Sequence, residues 1–396
     1  MRKRRVARIA TAKVAAAAKL AAAKVGGAKA GSASAPPASL ADIRVAIDTL
    51  DAQLQELISR RALLTQQVGI SKRADGRIVD YYRPEREAQV LRLALERNRG
   101  PLRNEEIARL FREIMSACLA QQEPLKVAFL GPEGTYTQAA VYKHFGHSVR
   151  ALALVSSDEV FHEVEAGNAD FGVVAVENST EGTVTNTLDR FLVSPLHICG
   201  EVEIRIHHCL MGRMRELADI ERVCAHAQAL AQCRAWLDEH LPGAERVAVA
   251  SNAEGARRAR DEAGSAAIAG EIAAEIYGLE LLVNEIEDRA DNTTRFLVVG
   301  RKLLERSGSD KTTLLLSGSS TDAPGALHRL LEPLAKNRIS MTRIESRPSR
   351  RRKWDYVFFV DIEGHASDAN VARALKSLKS RASLFRIIGS YPRSVL

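Results

Sequence analysis

The sequence predicts a multidomain chain built of an all-α segment, an α/β segment and a small α+β unit, in that order. Three observations predict it. Apolar residues recur at helical spacing from residue 40 to residue 122, short apolar strands alternate with helical stretches from Lys126 to Val299, and the chain after Gly308 reads as strand, helix, two strands, helix, strand.

The first helix carries Ile43, Ile47, Leu50, Leu54, Leu57 and Ile58, prolonged by Leu64 and Val68, and is expected to end near Lys72. Asp75-Gly76 marks a turn. A second helix starts at Pro84, a favourable residue for a first turn, and runs to Arg97. Gly100-Pro101 breaks it, and Asn104 is expected to cap a third helix bearing Ile107, Leu110, Phe111, Ile114 and Met115. Three helices of such unequal length make a poor monomeric core, and a dimer sharing helices is the natural remedy.

From Lys126 the pattern changes to a short apolar strand followed by Gly131-Pro132-Glu133-Gly134. Further strands are expected over 151–155, 171–176, 202–206, 222–225, 266–269 and 296–299. This alternation predicts an α/β domain, single or two-lobed around a cleft, with ligands at the carboxyl ends of its strands. The last unit has expected strands at 312–317, 339–346, 356–362 and 384–390 and helices at 325–336 and 369–380. The order βαββαβ is that of a ferredoxin-like sandwich.

Composition narrows the function classes. No apolar run approaches the ~20 residues that span a bilayer. Five cysteines without CxxC spacing argue against a disulfide framework or a zinc site and fit a reducing cytoplasm. The net charge of +8 belongs to the first 40 residues, which hold nine of the 57 Lys and Arg and no acid, leaving 48 basic against 49 acidic residues elsewhere. Nucleic acid is therefore not an expected partner of the folded body. The tail, residues 1–39, is an Ala/Lys-rich stretch expected to be disordered; an anion-binding arm, a transit peptide or a misassigned start are the alternatives.

On the first helix, Arg61 and Lys72 lie three turns apart on one side, whereas Arg44 falls about 100° away and would reach a partner's site rather than its own. Together with Ile43-Arg44, Leu50-Asp51, Arg60-Arg61, Val68-Gly69 and Arg86-Glu87, these residues make 40–123 resemble the chorismate mutase domain at the front of bacterial P-proteins, the bifunctional chorismate mutase/prephenate dehydratase family. The resemblance implies that Arg44, from a second subunit, and Arg61 grip substrate carboxylates. It implies that Lys72 and Gln122 bond the ether oxygen, with Glu87 on the substrate hydroxyl and Arg86 beside it. The rearrangement is pericyclic, so positioning and preorganised cations suffice. Arg83 and Cys118 depart from the family, Cys118 standing where some relatives place a substrate-binding serine.

Thr294-Arg295-Phe296, at fixed separations from Tyr277, Leu279, Leu282 and Asp288, resembles the prephenate dehydratase signature. So do Gly134-Thr135-Tyr136, Val176-Glu177-Asn178-Ser179 and Ile206-His207-His208. The resemblance covers 125–302 and implies two lobes like those of a periplasmic binding protein, with prephenate between them. Thr294 would donate toward the leaving ring hydroxyl, because hydroxide departs badly without a proton or a strong donor. Arg295 would bind a substrate carboxylate or pair with a surface acid. Glu177, Asn178, Ser179, Thr135 and Tyr136 would line the cleft, and Asp288 would order the loop before Thr294. Ala225-His226-Ala227-Gln228 departs from the family's Ser-His-Pro-Gln. No cofactor and no metal are expected.

Met341–Pro348 and the Gly325-Ala326-Leu327 segment resemble the ACT regulatory domain of the same family, here 311–392. They imply an L-phenylalanine site formed by Gly325, Ala326, Leu327, Glu345, Ser346 and Arg347 between paired domains. The expectation is a cytoplasmic enzyme, a homodimer or a higher oligomer, that turns chorismate into prephenate and then phenylpyruvate under feedback by L-phenylalanine. The alternatives are a dehydratase with an impaired mutase and a non-catalytic amino-acid-responsive protein.

Overall fold

The computed structural model describes residues 39–74, 82–318, 324–349 and 356–395, with side chains for all of these but 72–74. The basic tail as far as residue 38 and the Asp75-Gly76 turn lie outside the described residues. The chain divides into a unit ending at Leu57 and a second spanning Ile58–Leu396.

Helix α1 (Leu40–Ala74) is the long helix that the apolar stripe predicts. Its stripe is uncovered: Ile43, Ile47, Leu50 and Leu54 in the first unit, and Leu64 and Val68 in the second, are all exposed. Helix α2 (Pro84–Arg97) buries Ala88, Leu91 and Ala94. It docks on the segment before the last domain, where Arg92 donates to the carbonyls of Ser307 and Ser309 at 3.0 and 2.8 Å. Helix α3 (Asn104–Ala120) is flanked by Arg103 rather than capped by Asn104, whose side-chain oxygen is taken by the Asn98 amide at 2.9 Å.

Two sheets make the α/β region. The first joins β1 (Lys126–Leu130), β2 (Arg150–Leu154), β3 (Phe171–Asn178), β5 (His197–Arg205) and β11 (Thr293–Gly300) in the order β2-β1-β3-β11-β5, with β4 (Gly182–Thr183) on β3. The second joins β6 (Cys209–Gly212), β7 (Arg222–His226), β8 (Glu245–Val249), β9 (Ser265–Ala269) and β10 (Glu280–Val283) in the order β10-β6-β9-β7-β8. The chain crosses from one sheet to the other after β5 and returns before β11, so there are two lobes with separate cores. Phe129, Val173 and Val298 lie in one, and Leu210, Val223 and Ile268 in the other. Between the strands run α4 (Tyr136–Phe145), α5 (Ser157–Ala166), α6 (Thr185–Val193), α7 (Ala227–Gln232), α8 (Arg234–His240), α9 (Asn252–Asp261) and α10 (Glu271–Tyr277).

The last domain holds β12 (Asp310–Gly318), α11 (Ala326–Lys336), β13 (Met341–Pro348), β14 (Tyr356–Glu363), α12 (Ala369–Arg381) and β15 (Ala382–Pro392), the predicted βαββαβ order. Its sheet runs β13-β14-β12-β15. One face carries α11 and α12, whose Leu330 and Leu378 share a core with Leu314 and Val360 of the sheet. Phe359, Ile388 and Tyr391 instead join Ile198 and Phe191 of the first lobe in a shared core. No helix among the described residues is long and apolar enough to cross a membrane, and all five cysteines are buried.

Candidate active sites and their relatives

Strands β3 and β11 run antiparallel, with Asn178 opposite Thr294 and Glu177 opposite Arg295. Both strands extend further than their apolar runs predict, so the motif residues sit on the ladder and obey its alternation. Asn292, Thr294 and Phe296 therefore share one face and line the cleft between the lobes. Asn178 lines it as well. Its side-chain oxygen accepts from the backbone N–H groups of Thr180 and Glu181, both at 3.0 Å, which fixes the amide's orientation. The amide nitrogen then donates to Thr294 Oγ1 and to Asn292 Oδ1, each at 2.8 Å. A threonine hydroxyl that is already accepting keeps its own proton for another partner. The arrangement leaves the Thr294 O–H as a donor into the cleft.

The orientation propagates across both lobes. With Asn292 Oδ1 accepting, its amide donates to Gln232 Oε1 at 3.3 Å, and the same oxygen faces His208 Nε2 at 2.8 Å. His208 Nε2 must therefore carry a proton. Its Nδ1 meets the Tyr136 hydroxyl at 3.0 Å, and that hydroxyl also reaches the His207 carbonyl at 2.7 Å. Burial pushes the His208 pKa down and the Tyr136 pKa well up, so both stay neutral. Asp288 caps α8 by accepting from the N–H groups of Ala235 and Trp236, while its own N–H donates to the Gln232 carbonyl at 2.7 Å. It thus holds Gln232 in place. Gln232 and Asn292 escape sequence reasoning, although Asn292 has the strand parity of Thr294.

The cleft measures about 800 Å³. Its described lining has neither lysine nor arginine. The first residues of α4, α6 and α9 (Tyr136, Thr185 and Asn252) line it instead, so backbone N–H groups and helix dipoles supply the positive potential. Close packing shapes one wall: a Cβ on Gly270 would lie 2.7 Å from the Tyr136 ring, and Gly134 takes a φ of +84° beneath Tyr277. Tyr277 pins this turn by donating to the Glu133 carbonyl at 3.0 Å. Thr135 caps α4 through the Gln138 N–H. Glu181 is the acid of the described lining, so a small anion here would depend on the helix starts, with one oriented hydroxyl presented to it.

Three expected cleft residues lie elsewhere. Arg295 has the opposite parity to Thr294 and faces the last domain, donating to Asp361 at 2.8 Å and Glu201 at 2.9 Å. Both acids are buried rather than at the surface. Glu177 turns the same way and pairs with Arg343 at 2.8 Å. Ser179 staples the loop before β11, accepting from Thr293 N–H at 2.9 Å and donating to the Asp291 carbonyl. His207 and His208 occupy the crossover between strands, not a strand, and His207 pairs with Glu287 at 2.8 Å.

In the helical region Gln122 docks on α1. Its amide donates to the Thr65 carbonyl at 2.8 Å, and its side chain fills the space a Cβ on Gly69 would need. Thr65 and Gly69 lie between Arg61 and Lys72 along α1, and the side chain of Lys72 lies outside the described residues. Arg44 is exposed, and Cys118, one turn before Gln122, is buried. Arg86 is exposed with Nη1 3.4 Å from Gln89. Glu87 departs from expectation. It shares the face of α2 that turns toward β5, and lines a small cavity with Tyr82, Arg112, His144 and Glu201 that includes neither Arg61 nor Gln122. Burial raises its carboxyl to about 7 against the pull of Arg112.

In the last domain Gly325 takes a left-handed φ of +75° just before α11, a conformation that favours glycine, with Ala326 and the exposed Leu327 following. Glu345, Ser346 and Arg347 lie on the edge strand β13, where Arg347 reaches Asp189 on α6 at 3.1 Å.

Comparison with known proteins matches three family models in chain order: Chorismate mutase type II over residues 43–123, Prephenate dehydratase over 127–303 and ACT domain over 315–380. A bifunctional chorismate mutase/prephenate dehydratase of Stutzerimonas stutzeri is 53% identical over 361 residues, covering 90% of this chain and 98% of that protein. A prephenate dehydratase solved with L-Phe from Arthrobacter aurescens superposes with a TM-score of 0.62 at 39% identity, covering 68% of this chain and 90% of that one. GqqA, described as a novel type of quorum-quenching acylase, superposes with a TM-score of 0.63 at 32% identity, covering 68% of this chain and 98% of that one. With both catalytic regions and the regulatory region matched in order, and a relative aligned over 98% of its length and 90% of this chain, the chain belongs to the bifunctional chorismate mutase/prephenate dehydratase family.

Proposed function

We propose that the chain rearranges chorismate to prephenate in its helical domain and converts prephenate to phenylpyruvate in the cleft, under feedback inhibition by L-phenylalanine bound to its last domain. The working divisions are 40–123, 125–302 and 311–392, set in the cytoplasm. The observation that carries the dehydratase reading is the orientation of Thr294, whose oxygen accepts from Asn178 at 2.8 Å. As the C–C bond to the ring carboxylate breaks, its electron pair enters the ring and carbon dioxide departs. The C–O bond to the ring hydroxyl breaks in concert, and the oxygen leaves with a proton supplied through Thr294. Threonine is a weak acid, so it serves as a positioned donor or relay rather than a free proton source. The cleft, whose described lining has neither lysine nor arginine, binds the dianion through helix starts and neutral donors, which keeps the developing hydroxide in a preorganised field.

For the mutase, Arg61, Lys72 and Gln122 hold substrate from one chain and Arg44 from a second copy. The uncovered apolar stripe of α1 supports the pairing of two copies, because long exposed apolar rows are interface surfaces. Gly325–Leu327 and Glu345–Arg347 form the phenylalanine site. The test is to supply purified protein with chorismate and, separately, prephenate, with and without phenylalanine. Phenylpyruvate from both, reduced by phenylalanine, is expected. No product from prephenate overturns the dehydratase, and product from prephenate alone leaves the mutase impaired.

A further inference from the structure

Thr294 and Arg295 are neighbours on β11, as Asn178 and Glu177 are on β3, and the two pairs form adjacent rungs of one ladder. One rung faces the cleft and the next faces the regulatory sheet. There Arg343 of β13 stands opposite Asp361 of β14, a rung of the second sheet. The two charged rungs meet. Arg343 Nε lies 2.8 Å from Glu177 Oε2, and Arg295 Nη1 donates to Asp361 Oδ2 at 2.8 Å. Each arginine is thus matched to the acid of the other domain. Glu201 and Tyr391 complete the Arg295 shell at 2.9 and 3.3 Å, and Lys311 balances Glu201 at 2.7 Å.

We propose that Glu177 and Arg295 are positioning residues, a charge clamp through which the regulatory sheet sets the placement of Asn178 and Thr294. The proposal rests on the phenylalanine-regulated reading above and names the coupling element within it. Arg295, Asp361 and Arg343 side chains are only 13, 3 and 14% exposed. Glu177 is more open, at 41%, and leaving one of the three buried groups unpaired is strongly destabilising. A shift of the β13–β14 rung therefore drags Glu177 and Arg295, and the planar peptides joining them to Asn178 and Thr294 carry the shift to the cleft. Strand β13 makes a second link, from Arg347 to Asp189 of α6, the helix whose first residues Thr185 and Asn186 line the cleft. The strand expected to hold phenylalanine is thereby tied to the cleft at both ends. Packed elements with discrete pairings of this kind are what transmits an effector's preference between states.

The test uses the full chain and the more exposed pair. Glu177→Gln, Arg343→Gln and the combined variant are assayed for the phenylalanine concentration that halves dehydratase turnover. Calorimetry follows phenylalanine binding, and mutase rate serves as the control for folding. Each single change should raise the half-inhibiting concentration about tenfold or more, the combined variant should go no further, and saturable phenylalanine binding should persist in all three. Half-inhibition unchanged in the single variants, or shifts that multiply in the combined one, overturns the clamp. If the unmodified protein binds no phenylalanine, the regulatory reading fails and the clamp falls with it. If it is inhibited and the variants are inhibited equally, the clamp alone fails.

Discussion

Asn178→Asp is nearly isosteric and attacks the hydrogen bond that orients Thr294. In the protein, two backbone N–H groups hold the Asn178 oxygen, and its nitrogen donates at 2.8 Å to both Thr294 and Asn292. The substitution replaces that donor with a second acceptor. Thr294 must then give its proton to the new carboxylate, and the cleft loses its donor. Removing one preorganised donor from a developing anion costs about 3–4 kcal/mol. A new negative charge about 4 Å from the departing hydroxide adds repulsion of similar size at an effective dielectric near 20. Even the first contribution alone lowers turnover about 100- to 1,000-fold. Steady-state assay of phenylpyruvate from prephenate should show this loss mainly in kcat, with mutase rate preserved. Turnover within a few-fold of the unmodified protein would refute the assigned direction of the Thr294 hydrogen bond.

Three further outcomes follow from the same geometry. Gly270→Ala places a methyl 2.7 Å from the Tyr136 ring; it should cut dehydratase activity at least about tenfold and cost about 1–3 kcal/mol of stability in denaturant titration, and unchanged values would show that Tyr136 can yield freely. Glu87 is raised to about 7 by burial, so its stabilising contribution is complete below 4.5, the carboxyl's ordinary value, and is lost as pH rises through about 7. Glu87→Gln should remove up to about 3 kcal/mol of that loss, and melting curves for the two proteins that stay parallel from pH 5 to pH 8 would contradict it. Arg44→Ala and Arg61→Ala should each abolish mutase activity, and mixing the two should restore about a quarter of it, because a mixed pair of chains keeps one complete site; no recovery on mixing would place Arg44 in its own chain's site.

The helical elements were legible because their apolar residues recur over several turns: the second helix runs from Pro84 to Arg97 as the sequence predicts. Strand ends were not, since β3 and β11 continue through polar residues that no apolar run marks. That gap explains the displaced site residues. Placing Glu177, Asn178 and Ser179 together in the cleft, and offering Arg295 as a carboxylate ligand beside its reading as an acid's partner, ignores alternation; once Thr294 faces the cleft on a strand, Arg295 cannot. The same rule would have found Asn292. Gln232 and His208 carry no such signal, because they join the cleft only through the second lobe's packing. The strand pattern by itself leaves one lobe or two open, since a crossover such as the one between Arg205 and Cys209 reads like any other loop; only the family resemblance implies the two lobes.

In the proposed function one chain performs two reactions in separate sites, with Thr294 belonging to the second alone. Thr294→Ala supplied with chorismate separates the two, with chorismate, prephenate and phenylpyruvate followed together. Chorismate should be consumed at the normal rate while prephenate accumulates and no phenylpyruvate forms. Phenylpyruvate formed at an undiminished rate, or chorismate left unconsumed, would contradict it.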